Sequence, residues 1–124
     1  MANRTLRFLI VDDDEGWRAA LKLIFMKRED IRITEAISGP DAVEKIQAED
    51  YDLVLLDMRM PSGTEGLDAL AEIKKIKPQT QVIMISAYSD IPRTVEAMKR
   101  GVLDFVPKEA DFKDVITFKV NEFI

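Results

Sequence analysis

Leu9-Ile10-Val11-Asp12-Asp13-Asp14 passes from pure hydrocarbon into three carboxylates with nothing between. The pattern returns twice, where Leu53-Val54-Leu55-Leu56 stops at Asp57 and Phe105-Val106-Pro107 stops at Lys108. Short apolar runs bounded by polar residues read as strands covered on both faces. As parallel strands of one sheet, their carboxyl ends would share one edge, and open α/β sheets bind ligands at that edge. An acidic cluster facing a single amine would gather there, a set of groups suited to a divalent cation and a phosphoryl group.

Working outward, each run is followed by a helical pattern, and the unit repeats five times. Trp17, Leu21, Ile24 and Phe25 recur at i, i+4, i+7 and i+8, with Arg18 and Lys22 turned outward. Ser38-Gly39-Pro40-Asp41 offers a cap, a proline for the first turn and an acid near the positive end of a helix carrying Val43 and Ile46. Leu67, Leu70, Ile73 and Ile76 mark a third helix that ends before Pro78. Asp90 caps a fourth with Pro92 in its first turn, Ile91, Val95 and Met98 as its buried stripe, and Gly101 at its close. Phe112, Ile116, Val120 and Phe123 form a fifth. The patterns predict strands near 6–11, 31–36, 52–56, 81–86 and 103–107, and helices near 15–28, 40–49, 66–76, 90–100 and 111–123. Ile31-Arg32-Ile33-Thr34-Glu35 alternates and Leu103-Asp104-Phe105 is interrupted, so these two strands belong at sheet edges. With right-handed crossovers this predicts a doubly wound (βα)5 three-layer sandwich, flavodoxin-like, with a parallel five-stranded sheet of order 2-1-3-4-5. The switch point then lies between strands one and three, flanked by Asp12, Asp13 and Asp57.

Composition narrows the function classes. A chain of 124 residues, 47% hydrophobic, supports one core, so 1–124 reads as a single domain. A net charge of -5 argues against nucleic acid or anionic lipid as a direct partner. The absence of cysteine removes disulfides and thiolate chemistry; the absence of histidine removes imidazole-based triads, histidine-ligated zinc and a phosphohistidine carrier. No run approaches the roughly 18 apolar residues of a membrane span, and a cytoplasmic location is expected.

The residues resemble the receiver domain of two-component response regulators, including the small chemotaxis receivers. Val11-Asp12-Asp13 is similar to that family's acidic pair, Asp57-Met58-Arg59-Met60-Pro61 to its phosphoacceptor motif, Ser86-Ala87 to its hydroxyl residue and alanine, and Phe105-Val106-Pro107-Lys108 to its aromatic and lysine. The likeness runs from Leu6 to about Phe123. It implies that Asp57 accepts a phosphoryl group from a sensor histidine kinase or phosphotransfer protein. It also implies Mg2+ held by Asp13, Asp57 and the backbone carbonyl of Arg59, with Asp12 acting through water. By the same likeness Ser86 and Ala87 with Lys108 bind the phosphoryl group, Phe105 packs inward on switching, and the face of helix four, strand five and helix five meets an output protein or domain. Arg59 and Tyr88 would flank the approach of hydrolytic water, and their bulk implies slow self-dephosphorylation. The chemistry agrees: carboxylates about 4 Å apart repel by about 4 kcal/mol at an effective dielectric near 20, which calls for a cation, and an all-oxygen site suits Mg2+.

Singly, each residue has a plainer reading. Asp14 caps a helix, Lys108 snorkels at the surface, Ser86 caps a turn and Phe105 is core. The loop Pro61-Ser62-Gly63-Thr64-Glu65-Gly66 is one residue longer than usual in the family, and Glu109 stands where proline often follows the lysine, so a trans Lys108-Glu109 peptide is expected. A haloacid-dehalogenase-like phosphatase would need an aspartate where Arg59 stands. A flavin module would set its phosphate against Asp12-Asp13-Asp14. A receiver-like module that binds without phosphorylation stays open, as do dimerisation through the last two helices and whether the receiver stands alone or belongs to a larger regulator.

Overall fold

Ten elements alternate along the chain: β1 (Leu6–Val11), α1 (Glu15–Phe25), β2 (Ile31–Ala36), α2 (Gly39–Ala48), β3 (Leu53–Asp57), α3 (Glu65–Ile76), β4 (Gln81–Ser86), α4 (Ile91–Lys99), β5 (Asp104–Pro107) and α5 (Phe112–Phe123). The structure, a computed structural model, describes residues 5–58, 65–86, 91–109 and 111–124. Local chemistry sets the helix ends. The Asp14 carboxylate accepts from Trp17 N at 3.2 Å to open α1, and Ser38 Oγ accepts from Asp41 N at 3.1 Å to open α2. Asp41 replies by accepting from Ile37 N at 3.0 Å. Gly101, with φ of 90°, leads the chain out of α4. The Asp90 cap lies outside the described residues. α1 stops at Phe25, short of the expected residue 28. Residues 26–30 offer no apolar stripe, and Arg28 turns to pair with Asp30 at 2.9 Å while its amide donates to Phe25 O.

The five strands are parallel in the order β2-β1-β3-β4-β5, as the edge composition predicts. Alternation along each strand divides the core in two. Leu9, Val11, Val54, Leu56, Val82 and Met84 pack against α2, α3 and α4 through Ile46, Leu70, Ile73 and Ala97. Phe8, Ile10, Leu53, Leu55, Ile83 and Ile85 pack against α1 and α5 through Leu21, Phe25, Phe112, Ile116 and Val120. Each large side chain so buried contributes about 1.5–3 kcal/mol. Both helical layers must form before the sheet is dry. Among the described residues, no helix is long and apolar enough to cross a membrane.

Three residues depart from their sequence reading: Val95 and Met98, expected in the buried stripe of α4, are 46% and 53% exposed, and Arg18 is the third. Arg18 was expected to face outward, yet its side chain is only 13% exposed. It donates to Glu35 Oε1 at 3.0 Å and to the carbonyl of Asp12 at 2.8 Å, because its long stem crosses the carboxyl ends of β1 and β2. Lys22 does face solvent and binds the other Glu35 oxygen at 3.0 Å. Gly66 lies in the first turn of α3. A Cβ there would overlap the backbone carbonyls of Asp57 and Met58 and stand 2.6 Å from Met58 Cα. The helix therefore touches the end of β3 backbone to backbone.

Two predictions follow from these contacts. Gly66→Ala forces α3 off β3 and should cost about 1–3 kcal/mol, read as a lower urea midpoint at unchanged slope. For Glu35, the Lys22 and then the Arg18 hydrogen bonds hold the carboxyl below its ordinary value. A depressed acid stabilises the fold above its unfolded pKa, and that stability is lost as pH falls through the depressed folded value. Glu35→Gln should flatten that part of the stability–pH curve; an unchanged acid limb would show that the network contributes nothing.

Candidate metal and phosphoryl site

Register brings the charged strand ends together. Val11 lies opposite Leu56, so Asp12 emerges beside Asp57; Asp57 itself pairs with Ile85, and Ser86 with Pro107, so Lys108 follows at the same edge. Asp57 is the last residue of β3, one position inside the strand rather than just past it. Ladder pairing thus fixes its backbone. The alternation that sends Leu53 and Leu55 to the α1/α5 layer carries Asp57 to the same side.

One carboxylate oxygen from each of Asp12, Asp13 and Asp57 lies within 4.8 Å of the others. Asp12 and Asp57 are 2% and 4% exposed, whereas Asp13 faces solvent. Lys108 Nζ reaches both buried acids, at 3.0 Å from Asp12 Oδ2 and 3.4 Å from Asp57 Oδ1. Burial pushes the Asp12 carboxyl above its ordinary value; the Asp14 amide, 2.9 Å from Asp12 Oδ1, and the Lys108 ammonium pull the other way. Among the described residues, one ammonium against three carboxylates leaves the pocket short of positive charge. The donors are all oxygen, one of them open to solvent, which fits a hard, partly hydrated ion such as Mg2+.

Around this cluster, Ser86 is wholly buried at the end of β4, and its carbonyl accepts from Lys108 N at 2.6 Å. Phe105 is partly buried and packs on the α2/α3/α4 core. Among the described residues no peptide is cis, so Lys108-Glu109 is trans. The Glu109 carbonyl accepts from Phe112 N at 3.0 Å, turning the chain directly into α5. Arg59, Ala87 and Tyr88 lie outside the described residues.

Sequence reading missed what surrounds the lysine. The Lys108 ammonium sits 4.6 Å from the centroid of the Trp17 ring, and Phe112 meets that ring edge to face at 5.0 Å and 83°. Both aromatics looked like ordinary helix stripe. Their only distinguishing sign is position, in the first turns of the two helices that cover one face of the sheet.

Residues 8–118 match the family model of the response regulator receiver domain. The transcriptional regulatory protein ZraR of Klebsiella oxytoca is 36% identical over 112 residues, 90% of this chain and 25% of ZraR. The response regulator protein PilR of Pseudomonas aeruginosa is 39% identical over 103 residues, 83% of this chain and 23% of PilR. The chain thus spans about a quarter of the length of these relatives. Among solved structures, TrrA of Thermotoga maritima in complex with Mg2+-BeF superposes with a TM-score of 0.83 at 32% identity, covering 97% of this chain and 100% of that one. A CheY-like receiver domain protein of Methanospirillum hungatei gives 0.85 at 24% identity over 96% of this chain and 94% of its own, a likeness of fold. Sheet order, acidic strand ends and family match agree, and the chain belongs to the response regulator receiver domains of two-component signalling.

Proposed function

We propose that Asp57 is the phosphoacceptor of a two-component phosphorelay and that 1–124 forms one receiver domain working in the cytoplasm. The observation that carries this reading is the convergence of Asp12, Asp13 and Asp57 within 4.8 Å, with Lys108 reaching both buried members. In the transfer, an Asp57 oxygen forms a bond to phosphorus as the phosphohistidine P–N bond of a sensor kinase or phosphotransfer protein breaks. The imidazole leaves with the electron pair and takes up a proton. Asp13, Asp57 and the Arg59 carbonyl, with Asp12 through water, would hold Mg2+, which would supply charge neutralisation for the phosphoryl oxygens. Lys108 neutralises them from the other side, and Ser86 with Ala87 binds the product. The donor is already reactive, so the chain contributes mainly position and charge. TrrA, at 32% identity, was solved with Mg2+-BeF, which supports an equivalent ligand here.

The acyl phosphate carries about 1.5 to 2 negative charges at neutral pH where the free Asp57 carboxylate carries one, and its oxygens draw Ser86 inward and let Phe105 repack against the α4 side of the core. Val95, Met98, Leu103 and Phe118 are exposed apolar residues on α4, before β5 and on α5. That surface meets the output partner. The bulk of Arg59 and Tyr88, at the positions that flank the water's approach in this family, slows self-dephosphorylation.

The first test is incubation with Mg2+ and a small acyl phosphate, followed by intact mass. Wild type should gain one phosphate; Asp57→Asn, or wild type with chelator, should gain none. No gain by folded wild type would leave a module that binds without phosphorylation. At matched phosphate occupancy, Phe105→Ala should lose the change in hydrogen exchange across α4 and β5 that wild type shows, and an identical response in both would remove Phe105 from the switch. Replacing Arg59 and Tyr88 together by alanine should speed phosphate loss.

A further inference from the structure

An ammonium has three N–H bonds and gains most when each finds a partner. Lys108 directs its charge at Asp12 Oδ2 and Asp57 Oδ1, and near it lies the face of Trp17, 4.6 Å from the nitrogen. Indole is the aromatic face that best attracts a cation, and the attraction strengthens where water is thin. Here the lysine side chain is 13% exposed. A third carboxylate would hold the lysine equally well but would repel an incoming phosphoryl group. A π face attracts the ammonium without adding a formal negative charge.

The ring is itself held. Trp17 N donates to the Asp14 cap, which fixes the first turn of α1, and Phe112 abuts the indole edge to face from the start of α5. The Glu109–Phe112 turn links that contact to Lys108 within the same short stretch of chain. From these contacts we infer that Trp17, braced by Phe112, is a positioning residue for phosphoryl uptake: its ring seats the Lys108 ammonium at the mouth of the acidic pocket. The seat keeps the charge in place before the phosphoryl oxygens arrive, so less reorganisation is needed during transfer. This inference rests on the phosphoacceptor reading of Asp57.

The test has two arms. In wild type, the Lys108 Hε protons should show ring-current shifts that set them apart from the other lysines; Trp17→Leu should abolish these shifts and Trp17→Phe should retain part of them. In the acyl-phosphate assay with Mg2+, Trp17→Leu should slow phosphoryl uptake about 3- to 10-fold, whereas Trp17→Phe should stay within about 2-fold. In a Lys108→Met background the Trp17→Leu change should have no further effect on the rate. Equal slowing by Leu and Phe, undiminished in the Lys108→Met background, would mean a packing role and overturn the inference, as would a wild-type lysine with unshifted Hε protons. If wild type takes up no phosphate, the phosphoacceptor reading fails. The wild-type shift measurement then still decides whether the ring seats the lysine, even should Trp17→Leu not fold.

Discussion

Everything at this sheet edge depends on the cost of keeping two carboxylates out of water side by side. The parallel pairing of β1 with β3 leaves no choice about it, because Val11 opposite Leu56 delivers Asp12 next to Asp57. The apolar residues behind these acids commit the strands to that register, since a slip of one residue would turn each strand's alternation inside out. Hydrophobic burial therefore fixes the position of charges it does not favour. Lys108 offsets part of the cost, and a divalent ion would offset the rest.

The helices do more than cover the sheet. α1 brings Trp17 over the lysine and Arg18 onto the Asp12 carbonyl, and α5 brings Phe112 to the same place. α3 begins against the backbone of Asp57 and Met58 through a residue with no side chain. Three elements distant in sequence thus bear on a site whose charged groups come from strand ends. The acidic edge is in contact with α1 and α5 on one face and with α3 on the other. The exposed apolar residues of α4 and α5 lie within that same framework.

Much of this is legible in the sequence. Apolar runs stopping at Asp12, Asp57 and Lys108 marked strand ends, and the mixed composition of 31–35 and 103–105 marked edges. Ser38 and Asp14 were readable as caps. Arg18 and α1's last turn were misread for the same reason: a helical period says which residues share a stripe, but it does not say that Glu35 and the Asp12 carbonyl lie within an arginine's reach, or that Arg28 will prefer Asp30 to another turn.

The division between the two levels is physical. Periodicity, caps and strand-terminal charges are local properties, and they determined the fold class, the strand order and the identity of the charged site residues. Tertiary structure alone decided the separations among Asp12, Asp13, Asp57 and Lys108, the seat that Trp17 forms for the ammonium, and the close approach at Gly66. These are contacts between segments far apart in the chain. Their geometry is set by how crossover helices pack on a shared sheet, and no local pattern encodes that.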